Sequence, residues 1–145
     1  MEFYNKTLVK VEKVIGNGST SDVQLMDLCN KLFGSRFKGV FSIDDTFELK
    51  HGELAIFNLD KKNQPGSHWC GVVKHRKNYI VYDSFGRDIK LKQQKNIMTE
   101  DDPEQDINES NCGQRSVAWL VVVAVRGIKV AMSIYIFIHY YKNNY

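Results

Sequence analysis

The chain has 145 residues, 43% hydrophobic and 26% charged, with a net charge of +3 and a pI near 8.7. These are ordinary values for one soluble globular domain with a single hydrophobic core. Three cysteines, Cys29, Cys70 and Cys112, without CxxC spacing exclude a disulfide scaffold and a zinc ribbon, and they fit a reducing compartment.

Residues 1–18 carry a weak apolar pattern (Phe3, Leu8, Val9, Val11, Val14, Ile15) that reads as a short strand or arm closed by Gly16-Asn17-Gly18. Their charges and lack of a long apolar run argue against a secretory signal. A helix is expected from Ser21, where Ser21 and Gln24 have capping-box spacing and Asp22 suits the positive helix end. Its stripe is Val23, Met26, Cys29 or Asn30, and Phe33, and Gly34 is a good stop. Cys29 reads as a core residue. Residues 35–50 read as a connector anchored by Phe37, Gly39, Phe41 and Phe47.

Residues 53–59 form an expected buried strand. Lys61 to Gly66 is a polar loop, and His68 to Val73 and Tyr79 to Tyr82 are two further strands joined by a polar hairpin connection. If Val73 pairs with Asn78, His68 falls opposite Asp83. Opposed residues have Cβ atoms ~4.5–5.5 Å apart on one face, so imidazole and carboxylate would touch. A one-residue slip would separate them. Lys90 to Gln105 reads as a surface loop or helix plus loop, and Gln114 to Val125 fits a buried helix, although Val121-Val122-Val123 would also suit a strand. Residues 128–141 fit strand and helix equally. The apolar stretch from Val117 to Tyr141 is interrupted by Arg126 and Lys129, so neither piece reaches the ~20 residues of a membrane span.

Three short segments carry the chemistry: Gly66-Ser67-His68-Trp69, Tyr82-Asp83-Ser84-Phe85-Gly86 and Asn111-Cys112-Gly113. A thiol is mostly neutral at pH 7, and becomes a strong nucleophile when a base or a helix N-terminus favours the thiolate. Cys112 at the start of a helix would gain from the dipole and from free N–H groups that also bind an oxyanion. His68 would take the thiol proton, and Asp83 would orient the imidazole. Gln105, seven residues before Cys112, would offer its side-chain NH₂ to the oxyanion. Gly113 allows close approach of the substrate, and Trp69 is expected to flank the cleft. The set His68, Cys70 and Cys112 matches no usual zinc spacing. No metal and no cofactor are expected. His51, His75 and His139 read as surface or structural.

The constellation resembles the adenovirus-type maturation cysteine proteases (adenain), within the fold of the SUMO-specific proteases. The resemblance extends beyond the three segments. Phe37-Lys38-Gly39-Val40-Phe41 looks like the family's Phe-x-Gly-x-aromatic segment, and Ala55-Ile56-Phe57-Asn58 like its Ala-Ile-Val-Asn strand. Gly66-x-His68-Trp69 looks like its histidine motif, Phe85-Gly86 follows the carboxylate as it does there, and Gln105 precedes Cys112 at the family spacing. The match covers roughly residues 20–126.

This resemblance implies one α+β domain over residues 1–145, with a central mixed β-sheet packed against the helix that carries the nucleophile. It implies a viral endopeptidase that cuts capsid or core precursor proteins at Gly-containing sites. Cys112, His68, Asp83 and Gln105 would be nucleophile, base, orienting acid and oxyanion donor. Small size and Lys-rich composition look like a virophage or small DNA virus version, of the Mavirus type. The enzyme would act as a monomer in virions and in the host cell's viral factory, unsecreted and free of membrane. Asp83 replaces adenain's Glu, as in the SUMO-protease branch. The family's peptide activator has no recognisable cysteine partner here, and the positive charge is spread out, so DNA stays open as a partner. The rival readings are a deconjugase for ubiquitin-like tags, an acetyl-transferring effector enzyme, and a non-catalytic virion or DNA-binding protein.

Overall fold

The computed structural model describes residues 2–60, 68–87, 89–91, 97–100 (backbone only) and 110–132. The architecture is α+β. Helix α1 (Glu2–Ile15) and helix α2 (Asp22–Phe33) lead into a short 3₁₀ turn (Gly34–Arg36). Strands β1 (Phe37–Ser42), β2 (Leu54–Asn58), β3 (Trp69–His75), β4 (Asn78–Tyr82) and β5 (Ile97–Glu100) follow, and then helix α3 (Cys112–Arg126). The strands form one mixed sheet in the order β1-β2-β3-β4-β5. The outer pairs β1/β2 and β4/β5 are parallel, and β2/β3 and β3/β4 are antiparallel.

Residues 2–15 are a helix rather than the expected strand or arm. Tyr4, Leu8 and Val11 recur at helical spacing and are buried. Val9 and Val14, which favoured an extended reading, face solvent. Helix α2 begins and ends as expected. The Ser21 hydroxyl accepts from Gln24 N–H at 3.2 Å, and Gln24 Oε1 accepts from Ser21 N–H at 3.0 Å. Its buried residues are Leu25 and Cys29: Cys29 lies in the core as expected, Leu25 is one position from the expected Met26, and Val23 is exposed. The expected connector at 35–50 contains β1. Within the expected loop or helix at 90–105, residues 97–100 are a strand beside β4. The rest of that segment outside 90–91 lies beyond the described residues, as do 133–145.

The three helices share one core with one face of the sheet: Tyr4, Leu25, Ile56, Trp69, Tyr82 and Trp119 belong to it. The other face buries Phe57, Cys70, Val72 and Val81 under Leu49, Ile89 and Leu91. Strand β2 is buried along its whole length, as its unbroken apolar run requires. Gly71 lets α3 come close to β3: a Cβ there would stand 3.4 Å from Leu120 Cγ. The Tyr82 and Trp119 rings stack with centroids 5.3 Å apart. These contacts set the middle of α3 against β3 and β4, and nearer its start the Ser116 hydroxyl donates to Trp69 O at 3.1 Å. No helix among the described residues is long and apolar enough to cross a membrane.

Candidate active site

His68 immediately precedes β3, and Asp83 immediately follows β4. The expected register, Val73 opposite Asn78, is wrong by two residues: Val73 faces Ile80, and His75 faces Asn78. The connection is a tight two-residue turn, with Arg76 at φ 56°, rather than a longer loop. A two-residue shift preserves the face of every side chain, because the strand period is two. The ladder ends at Gly71–Tyr82, and beyond it the chains still bring His68 and Asp83 together. His68 Nε2 and Asp83 Oδ1 form a buried hydrogen bond.

Asp83 is 1% exposed, yet its carboxylate is fully occupied. Oδ1 also accepts from Phe85 N–H at 3.2 Å. Oδ2 accepts from Arg87 N–H at 3.0 Å and Arg87 Nε at 2.9 Å. Burial pushes its pKa up, but His68 and Arg87 outweigh that and hold it down at about 2. Asp83 also opens a turn: Gly86 N–H donates to its carbonyl at 2.8 Å. Arg87 was not singled out from sequence. Its position four residues past Asp83, across a turn ending in Gly86, was the available signal.

Cys112 is the first residue of α3, where the helix dipole favours an anion. Trp69 N–H points at its Sγ at 3.4 Å. The His68 imidazole also acts on the thiol and favours its ionised form. With Nε2 engaged by Asp83, Nδ1 is the ring nitrogen left to serve the thiol. Burial pushes the Cys112 thiol up, but His68 and the N–H groups of Trp69 and Gly113 outweigh it, and the net pKa is lowered. For His68, burial pulls down while Asp83 and Cys112 raise, and the net pKa is raised. Both shifts favour a thiolate–imidazolium pair. Phe85 stacks on the imidazole with centroids 4.8 Å apart.

The other two cysteines differ. Cys29 and Cys70 are fully buried and free. Burial pushes Cys29 up to about 12 and Cys70 well above its usual value. Donor atoms of His68, Cys70 and Asp83 lie within 4.8 Å of one another, a set a soft cation would suit. The four N–H groups on Asp83 already fill that carboxylate, so the cluster is organised around the imidazole rather than around an ion.

Gly113 has no room for a side chain: a Cβ would lie 2.2 Å from Thr20 Oγ1 and 3.3 Å from the Trp69 ring. Trp69 belongs to the core, 7% exposed, with its indole N–H on Thr20 O at 3.1 Å. Asn111, which opens the expected Asn111-Cys112-Gly113 segment, lies at the start of α3 with Thr20 and Gln114, and nothing in the spacing of the latter two points to Cys112. Gln105, the expected oxyanion donor, lies outside the described residues, as do Gly66 and Ser67 of the histidine motif. No protein-family model matches the chain, and no curated protein does either.

Proposed function

We propose that the chain is a cysteine endopeptidase working through Cys112, His68 and Asp83. The observation that supports this reading is the convergence of the three groups: an imidazole bonded to a buried carboxylate, and a helix-starting thiol whose Sγ accepts the N–H of Trp69, the residue next to that imidazole. The thiolate attacks a peptide carbonyl, and a C–S bond forms as the carbonyl electrons move onto oxygen. The oxyanion is met by N–H groups of the first turn of α3. Gln105 would add its amide there. Imidazolium passes its proton to the leaving amine as the C–N bond breaks. Water, deprotonated by the neutral imidazole, then hydrolyses the thioester and restores the thiol.

The substrate side of the proposal rests on the adenain-like segments around Phe37–Phe41, Ala55–Asn58, His68-Trp69 and Phe85-Gly86. We therefore assign the enzyme to maturation of capsid or core precursors, cut at Gly-containing sequences. Incubation of purified protein with the virus's precursor proteins tests it. Wild type should give discrete fragments that Cys112→Ala does not. Identical uncut bands for both would end the proposal. Tight covalent capture of a ubiquitin-like probe with a C-terminal electrophile, without precursor cleavage, would favour a deconjugase instead.

A further inference from the structure

The first turn of α3 is held by α1 and the loop behind it. Asn111 occupies the helix N-cap position, where an Asn side chain ordinarily caps its own helix. Here it makes no capping bond. Its Nδ2 instead donates to Glu12 Oε1 of α1 at 3.0 Å, and its Oδ1 accepts from Arg115 Nε at 3.0 Å. Two residues past Cys112, the fully buried Gln114 donates Nε2 to Gly16 O at 2.7 Å and to Gly18 O at 2.8 Å. Arg115 also reaches Tyr4 Oη at 3.4 Å, and Tyr4 Oη meets Tyr82 Oη at 2.9 Å. Tyr82 adjoins Asp83. One polar chain thus runs from the residue before Cys112, through α1, to the residue before Asp83.

We propose that residues 2–20 position the thiol, with Gln114 and the Glu12–Asn111 pair as the positioning residues. The inference rests on Cys112 being the nucleophile. Gln114 holds the first turn so that Sγ faces the imidazole. Glu12 draws the Asn111 amide away from the helix end, which leaves first-turn N–H groups for the sulfur and an oxyanion. None of these side chains touches the reacting atoms. Their loss acts through the Cys112–His68 alignment, where small displacements weaken both the ion pair and attack.

The test is the pH dependence of Cys112 alkylation by iodoacetamide, beside peptide kinetics, in Gln114→Leu, Glu12→Ala and Glu12→Gln. Fully buried Cys29 and Cys70 report folding, because they stay unlabelled in an intact protein. Gln114→Leu should slow alkylation at pH 6 about 10-fold and lower kcat comparably, with KM within about twofold. Glu12→Ala should act in the same direction by about threefold, and Glu12→Gln, which keeps the acceptor, should restore the wild-type profile. Folded Gln114→Leu and Glu12→Ala proteins with wild-type profiles would overturn the positioning role and leave the functional reading standing. Should Gln114→Leu unfold, the Glu12→Ala against Glu12→Gln difference decides alone. A wild-type profile matching a free thiol would sink the functional reading, and this role with it.

Discussion

Strand β3 has a histidine at each end, and the two live in different chemistry. His68 is buried between a carboxylate held by four N–H groups and a thiol at a helix start. His75, at the hairpin end, sits half-exposed with its ring 5.2 Å from that of exposed His51. The His51 Nδ1 accepts from Arg76 N–H at 2.8 Å, a bond that secures the turn. Residue type is the same at both ends. What differs is whether the fold delivers an anion and a nucleophile to the imidazole and excludes water from all three.

The sharpest break of this comparison is by substitution. Cys112→Ala should abolish peptide cleavage, and His68→Ala should lower kcat by roughly 10³-fold or more. His75→Ala should stay within about twofold, since that ring lies at the hairpin end against His51, away from Cys112. Steady-state hydrolysis of a fluorogenic peptide measures all three. Equal losses at the two histidines would erase the distinction.

Asp83→Asn sharpens it further. It keeps the shape but removes the charge that sets the tautomer of His68, and kcat should fall roughly 10²–10⁴-fold with the fold retained. The readout is the same assay beside near-UV circular dichroism.

Gly113→Ala tests how closely the buried end is packed. Its Cβ would stand 2.2 Å from Thr20 Oγ1, so the 16–20 loop or α3 must shift. We expect a loss of roughly 1–3 kcal/mol in denaturant unfolding.

The smallest effect is the acid one. Asp83 has its pKa lowered to about 2 from 3.8. A lowered carboxylate contributes stability that is present above its unfolded pKa and lost as pH falls through the folded one. The contribution is roughly 2 kcal/mol, disappearing between about pH 4 and 2. Urea unfolding of wild type and Asp83→Asn across that window measures it, with the wild-type advantage shrinking as pH drops.

Much of this was legible locally. The capping box at Ser21, the unbroken run of β2 and the thiol at a helix start are short-range patterns, and each appeared where expected. The His68–Asp83 contact was foreseen through a register two residues off. It survived because a two-residue slip preserves faces, and because both residues lie past the ladder's end, where the chains are free to converge. Residues 2–15 were misread because Val9, Val14 and Ile15 weigh toward strand, while burial is decided by α3 packing against Tyr4, Leu8 and Val11. Thr20, Gln114 and Arg87 were not legible as site residues, and Asn111 was legible only as the neighbour of Cys112. Their roles depend on partners nearly a hundred residues away, or on a turn whose geometry only folding defines.

The central claim is that the Cys112 sulfur is ionised by its partners at neutral pH, and the alkylation rate of Cys112 against pH, in wild type and His68→Ala, tests it most directly. Wild type should react rapidly at mildly acidic pH. In His68→Ala the rate should rise only toward the ordinary thiol pKa of about 8.5. Two superimposed curves, both centred on that ordinary value, would contradict the account.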